Sequence, residues 1–209
     1  MGAPTITCAP DGPYLVKGLD HLSNSKGEKL ATPQPTVALC RCGGSANKPF
    51  CDGTHKKNGF SGAKLAEPAK NRRKDFAGAK ITIHDNRAIC AHAGFCTDGL
   101  KEVFLDDGKP WIVPDGASME KVIETIRKCP SGALSYALNG IEAVPDSREP
   151  MVTVTKDGPY AVTGGVELVG VSFGDGASKE HYTLCRCGQS KNKPFCDGSH
   201  WDAGFKDPV

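Results

Sequence analysis

The chain has 209 residues, with 38% hydrophobic and only 7% aromatic side chains, so its core is thin for its length. A net charge of +2 and a pI near 8.0 are too weak to point to a nucleic acid or an anionic membrane. There is no run of 18 apolar residues and no basic, then apolar, N-terminal stretch, so the expectation is a soluble, cytoplasmic protein without a membrane span or leader.

The segment 11–14, Asp-Gly-Pro-Tyr, opens the chain's first pattern, and the alternating stretch LVKG after it reads as a strand. A second strand, TVALC, leads into residues 40–55, CRCGGSANKPFCDGTH. Both features return later in the chain. Asp-Gly-Pro-Tyr recurs at 157–160, the strand HYTLC follows, and residues 185–200 read CRCGQSKNKPFCDGSH. Each copy continues to a phenylalanine, Phe60 and Phe205. The organisation is therefore a repeat unit at 1–63, a different segment at 64–149, and the repeat again at 150–209. Neither repeat is large enough to bury a core alone, so the two are expected to pair.

Between them, residues 61–75 read as an exposed linker, and its basic group Lys70, Arg72, Arg73 and Lys74 as a solvated one. AKITIHDNRAIC then predicts a hairpin turning at Asp85-Asn86. SMEKVIETIRKC predicts an amphipathic helix with Ser118 as N-cap and Met119, Val122, Ile123 and Ile126 on one face. Pro130 ends it. LSYALNGIEAV predicts a second hairpin with a tight Asn139-Gly140 turn.

Ten cysteines dominate the chemistry, nine of them in three groups. Grouping of this kind fits metal ligation better than a disulfide framework. Cys40, Cys42, Cys51 and His55 make a four-donor set, and Cys185, Cys187, Cys196 and His200 make a second. Two metals compete for such sets. Zinc accepts Cys3His in closed tetrahedral sites, and a 2Fe–2S cluster also takes four protein ligands, with histidine able to replace cysteine. Glycines beside the ligands allow the tight path, and Lys48, Lys56 and Lys193 lie close enough in sequence to act on the sites from outside. The middle segment offers Cys90, Cys96 and Cys129 followed by Pro130. On a ferredoxin frame the second cysteine position falls at Ala93. Three cysteines suit a 3Fe–4S cluster, and a 4Fe–4S cluster needs one further donor, for which His92 and then His84 are the candidates. Cys8 stands apart and reads as a bystander.

Both repeats resemble the CDGSH iron–sulfur family, matching its pattern at every defined position, with Thr54 as an allowed variant. The resemblance implies a 2Fe–2S cluster on each set of three cysteines and a histidine, and pairing of two units as a pseudo-dimer within one chain. The middle segment resembles divergent single-cluster ferredoxin domains through Pro110-Trp111-Ile112 and CPSGAL at 129–134. The expected fold class is thus α+β: two β-rich CDGSH units forming a pseudo-dimer, with an inserted ferredoxin-like α+β domain. The expected cofactors are two 2Fe–2S clusters and one 3Fe–4S or 4Fe–4S cluster. The expected role is electron transfer by a monomer that is not an enzyme, with redox proteins as partners. The alternative is cluster storage, delivery or sensing, with apo iron–sulfur proteins as acceptors.

Overall fold

A computed structural model describes residues 3–32, 34–64 and 73–207. It is a β-rich α+β structure of three four-stranded sheets. In the first repeat, β1 (Thr5–Cys8), β2 (Tyr14–Lys17), β3 (Leu22–Asn24) and β4 (Thr36–Leu39) follow one another. In the second repeat the corresponding run is β9 (Met151–Val154), β10 (Tyr160–Thr163), β11 (Glu167–Val169) and β12 (Tyr182–Leu184). Alternation does its usual work: Tyr14 and Val16 point inward, as do Tyr160 and Val162.

The two repeats do not build separate sheets. The first sheet runs β11-β1-β2-β4 and the second β12-β10-β9-β3. Each repeat lends its third strand to the other, in parallel: Ile6 pairs with Leu168, and Ser23 with Thr153. Ile6, Leu22, Val152, Val154 and Leu168 are buried by this exchange. At the centre, Tyr14 and Tyr160 meet edge to face at 5.9 Å.

The middle unit has its own sheet, β5-β6-β7-β8, built from Lys74–Ala77, Ile81–Asp85, Leu134–Leu138 and Ile141–Glu142 in that order. A short helix α1 (Phe95–Gly99) and α2 (Met119–Arg127) accompany it. The helix α2 starts after Ser118 and buries Val122 and Ile126, as its periodicity predicts; the Ser118 side chain makes no capping bond. The β7–β8 hairpin turns at Asn139 (φ 50°) and Gly140 (φ 77°), the left-handed pair that a tight hairpin requires.

Two expectations need correction. The chain does not turn back at Asp85-Asn86: the hairpin is β5–β6, turning at residues 78–80, and Asn86 instead caps a 3-10 turn by accepting from the Ala88 N–H. For the same reason the linker ends sooner than expected. Lys74 is in β5 opposite Asp85, and Arg73 is ion-paired with Asp75 and Glu142. Lys70 and Arg72 lie outside the described residues. No helix among the described residues is long and apolar enough to cross a membrane.

Candidate metal centres

The first set is assembled where β4 ends. Cys40 and Cys42 leave the strand, and Gly43 (φ 75°) bends the chain beyond them. The backbone then returns through Pro49, whose carbonyl accepts from the Cys40 N–H at 2.8 Å. Cys51 follows, and Asp52 folds the last turn: its carboxylate accepts from the N–H of Ala46 at 2.8 Å and of Thr54 at 3.0 Å. The Thr54 side chain, and then these two N–H groups, hold the Asp52 carboxyl well below the usual carboxylate range. The second set repeats the construction, with Asp197 accepting from Lys191 and Ser199. Lys48 and Lys193 reach the carbonyls of Ser45 and Ser190 and so brace the loops, while Lys56 is exposed.

Within each set the donors come in two pairs. The Cys40 and Cys42 sulfurs lie 3.9 Å apart, and those of Cys185 and Cys187 3.8 Å. The Cys51 sulfur lies 3.4 Å from Nδ1 of His55, and the Cys196 sulfur 3.5 Å from Nδ1 of His200. Two thiolates held at about 2.3 Å by one tetrahedral ion sit about 3.8 Å apart, and a thiolate and an imidazole about 3.5 Å apart. Each pair thus has the bite of one metal ion. Among the described residues, no group of three or more such donors converges on a single point. The shared hydrogen bond with Cys187, and burial, push the Cys185 thiol up, while the same bond pulls Cys187 down. Burial also raises Cys40 and Cys196. Loading such sites therefore releases protons.

The sequence missed what holds these loops. The Tyr14 hydroxyl crosses to the other repeat and lies 2.9 and 3.0 Å from the carbonyls of Cys185 and Pro194. The Tyr160 hydroxyl reaches Cys40 and Pro49 in the same way, at 2.8 and 3.0 Å. The Cys-Gly segments also touch: a Cβ on Gly43 would stand 2.5 Å from the Cys187 oxygen, and one on Gly188 2.7 Å from that of Cys42. Arg186, fully buried, donates to the carbonyls of Gly158 and Thr155 and pairs with Asp207. Arg41 donates to Gly62 at 3.1 Å and lies over the Tyr14 and Phe60 rings. The repeated Asp-Gly-Pro-Tyr and the repeated phenylalanine carried this information in the sequence.

In the middle unit Cys90, Cys96 and Cys129 line one cavity of about 330 Å³. Arg87 and the His92 N–H approach the Cys90 sulfur at 3.5 and 3.4 Å. Burial raises the Cys90 thiol, and pushes Cys96 up to about 11. Of the two suggested extra donors, His92 lines this cavity and His84 does not. The imidazole of His92 also packs over Gly198 of the second repeat, while His84 holds Asp75 through Nδ1 at 2.7 Å. Asp85 lines the cavity as well. It follows Ile81 and Ile83 on the inward face of β6, is 2% exposed, and neither carboxylate oxygen has a hydrogen-bond partner. Arg87 Nε, 3.3 Å away, is its counter-charge. A charge at the inward position of an alternating strand was the available signal. Cys8, half-buried in β1, belongs to none of the three groups.

The family described as "Iron-binding zinc finger CDGSH type" matches at residues 11–56 and again at 157–201. "Divergent 4Fe-4S mono-cluster" matches at 76–139. The chain belongs to the CDGSH family, in a form whose two units flank a divergent mono-cluster domain. The CDGSH matches include both tyrosines and all eight donors, and the mono-cluster match includes Asp85 and the three cysteines. "Uncharacterized protein YjdI" of Escherichia coli K12 is 44% identical over 61 residues, which is 29% of this chain and 80% of that protein. Its counterpart in strain O157:H7 matches equally. No solved structure matches the chain.

Proposed function

We propose that this CDGSH protein is a one-electron carrier with three iron–sulfur centres: a dinuclear one in each CDGSH unit, and a cuboidal one in the mono-cluster domain. The observation that carries this is the pairing of donors. Two bites per site, and no convergence on one point, fit two metal ions bridged by sulfide and not one zinc ion. The three middle thiols line one cavity of about 330 Å³, where they would hold a cuboidal cluster. When bound, such clusters take up and release single electrons. The chain's own part is to fix the donors, cover them and bring the centres close. Cys40, Cys42, Cys51 and His55 would hold the first cluster, Cys185, Cys187, Cys196 and His200 the second, and Cys90, Cys96 and Cys129 the third. Asp85, ion-paired with Arg87, is the oxygen donor the cavity offers a fourth iron, and His92 the nitrogen donor. The reciprocal tyrosines and exchanged strands support reading the two CDGSH units as an internal pseudo-dimer in a monomer. The mono-cluster domain is then a ferredoxin-like insertion, and redox proteins of the cytoplasm are the partners. On this reading the protein is a carrier and not an enzyme.

Iron, acid-labile sulfide and zinc per chain test this, on protein purified without oxygen. The expected result is about seven irons, or about eight with a 4Fe–4S centre in the middle. In the second case Asp85→Ala should lower the count by about one iron and produce the signal of an oxidised 3Fe–4S centre. Stoichiometric zinc with little iron would overturn the proposal.

A second reading, hand-over of clusters to apo-proteins, draws on the first site, where Cys51 and His55 are only half-buried. Transfer from intact protein to an apo-ferredoxin, faster than reduction by a partner reductase, would favour it.

A further inference from the structure

The two CDGSH units are alike in their donors but not in their surroundings. In the first, a Cβ on Gly53 would meet nothing within 4 Å; in the second, a Cβ on Gly198 would stand 2.5 Å from the His92 ring. The residue after the histidine donor is Lys56 in one and Trp201 in the other. Trp201 leans on His200, ring to ring at 5.3 Å, and its Nε1–H donates to the His92 carbonyl at 3.1 Å. His92 in turn donates its own N–H to the Cys90 sulfur. Nearby, Asn192 donates to the Ala88 carbonyl at 2.7 Å. A continuous chain of contacts therefore runs from one donor of the second CDGSH unit, His200, through Trp201 and His92, to one donor of the mono-cluster domain, Cys90. On its other side the second unit touches the first through the paired Cys42-Gly43 and Cys187-Gly188 segments.

Resting on the function proposed above, we propose that the three centres form a line with a fixed order, in which the second CDGSH centre is the obligatory middle and Trp201–His92 is its junction with the mono-cluster centre. Across that junction one electron moves: the iron of one centre is oxidised by one equivalent, that of the other is reduced by one, and no bond or proton is exchanged. The first CDGSH centre is the far end, reached only through the second. The differing residues Lys56 and Trp201 make this asymmetry a property of the sequence.

The test uses the complete, cluster-loaded protein. A photoexcited deazaflavin, as one-electron donor, delivers a substoichiometric pulse, and re-equilibration among the centres is followed optically, with EPR of the fully reduced protein alongside. Trp201→Lys copies the first unit's residue at a side chain 64% exposed in the structure, so folding and iron content should not change. The expected results are magnetic broadening between the second CDGSH centre and the mono-cluster centre in the wild type, and roughly tenfold slower exchange between them in the variant. Lys56→Trp should leave the exchange rate as it was. An unchanged rate in Trp201→Lys, or loaded and reducible centres without magnetic interaction, would overturn the relay while leaving the carrier function standing. Absence of iron and sulfide from either site would instead overturn the function on which it rests.

Discussion

At the scale of single residues, the tyrosine that each CDGSH unit lends the other has more influence than its distance in sequence suggests. Tyr14→Phe removes a buried donor from the Cys185 loop, and Tyr160→Phe removes one from the Cys40 loop. Each should cost about 1 to 2 kcal/mol, because a buried carbonyl loses its partner. The damage should appear in the opposite unit. In a chain whose first site is disabled by Cys51→Ser, Tyr14→Phe should speed loss of the remaining CDGSH absorption, and Tyr160→Phe should change it far less. The donors themselves were legible in the sequence because three cysteines and a histidine within sixteen residues need no tertiary information. Asp85 carried a signal, its charge at an inward strand position, but what Tyr14 and Trp201 meet was not legible, because those partners lie far along the chain. A periodicity argument says only that a position faces inward, not which loop it will find there.

At the scale of elements, short strands were recognisable and their partners were not. TVALC and HYTLC become β4 and β12 as expected, yet nothing in Leu22–Asn24 or Glu167–Val169 announces that each will join the other unit's sheet. The misplaced hairpin has a related cause. Asp85-Asn86 carries turn chemistry, and Asn86 uses it to start a 3-10 turn, while the reversal falls at Gly78–Lys80, where the Gly78 N–H bonds to Ile81. The close approach of the two Cys-Gly segments gives a sharp test. Gly43→Ala meets both a left-handed φ and a carbonyl 2.5 Å away. It should lower the urea midpoint by the equivalent of about 3 kcal/mol or more. Gly53→Ala, with a similar φ and open space around it, should cost only the backbone strain, about 1 to 2 kcal/mol.

At the scale of the whole molecule, the insert and the second CDGSH unit meet again at His181, away from the Trp201 junction. Its ring lies against Gly132 of the insert and is held by Ser178 and Glu180. Burial, and then Arg148, lower its pKa below 6.5, with Glu180 opposing them. The folded protein therefore keeps His181 neutral where the unfolded chain would protonate it. Its contribution to stability is complete above about pH 6.5 and declines as the pH falls below that value. Urea midpoints measured from pH 7.5 to pH 5 should fall, and His181→Gln should flatten the decline.

The strand exchange has a consequence for how the protein is made. Tyr160 secures the Cys40 loop across 120 residues, and β9 receives β3 only after the whole insert has been synthesised. When the first four donors leave the ribosome, the local bonds from Asp52 and Lys48 can form, but the Tyr160 hydroxyl is not yet there. A chain cut short before residue 160 lacks that brace altogether. The first site therefore reaches its final form only once the second unit has been made, and a chain truncated before Tyr160 is expected to hold metal there less tightly than the whole one.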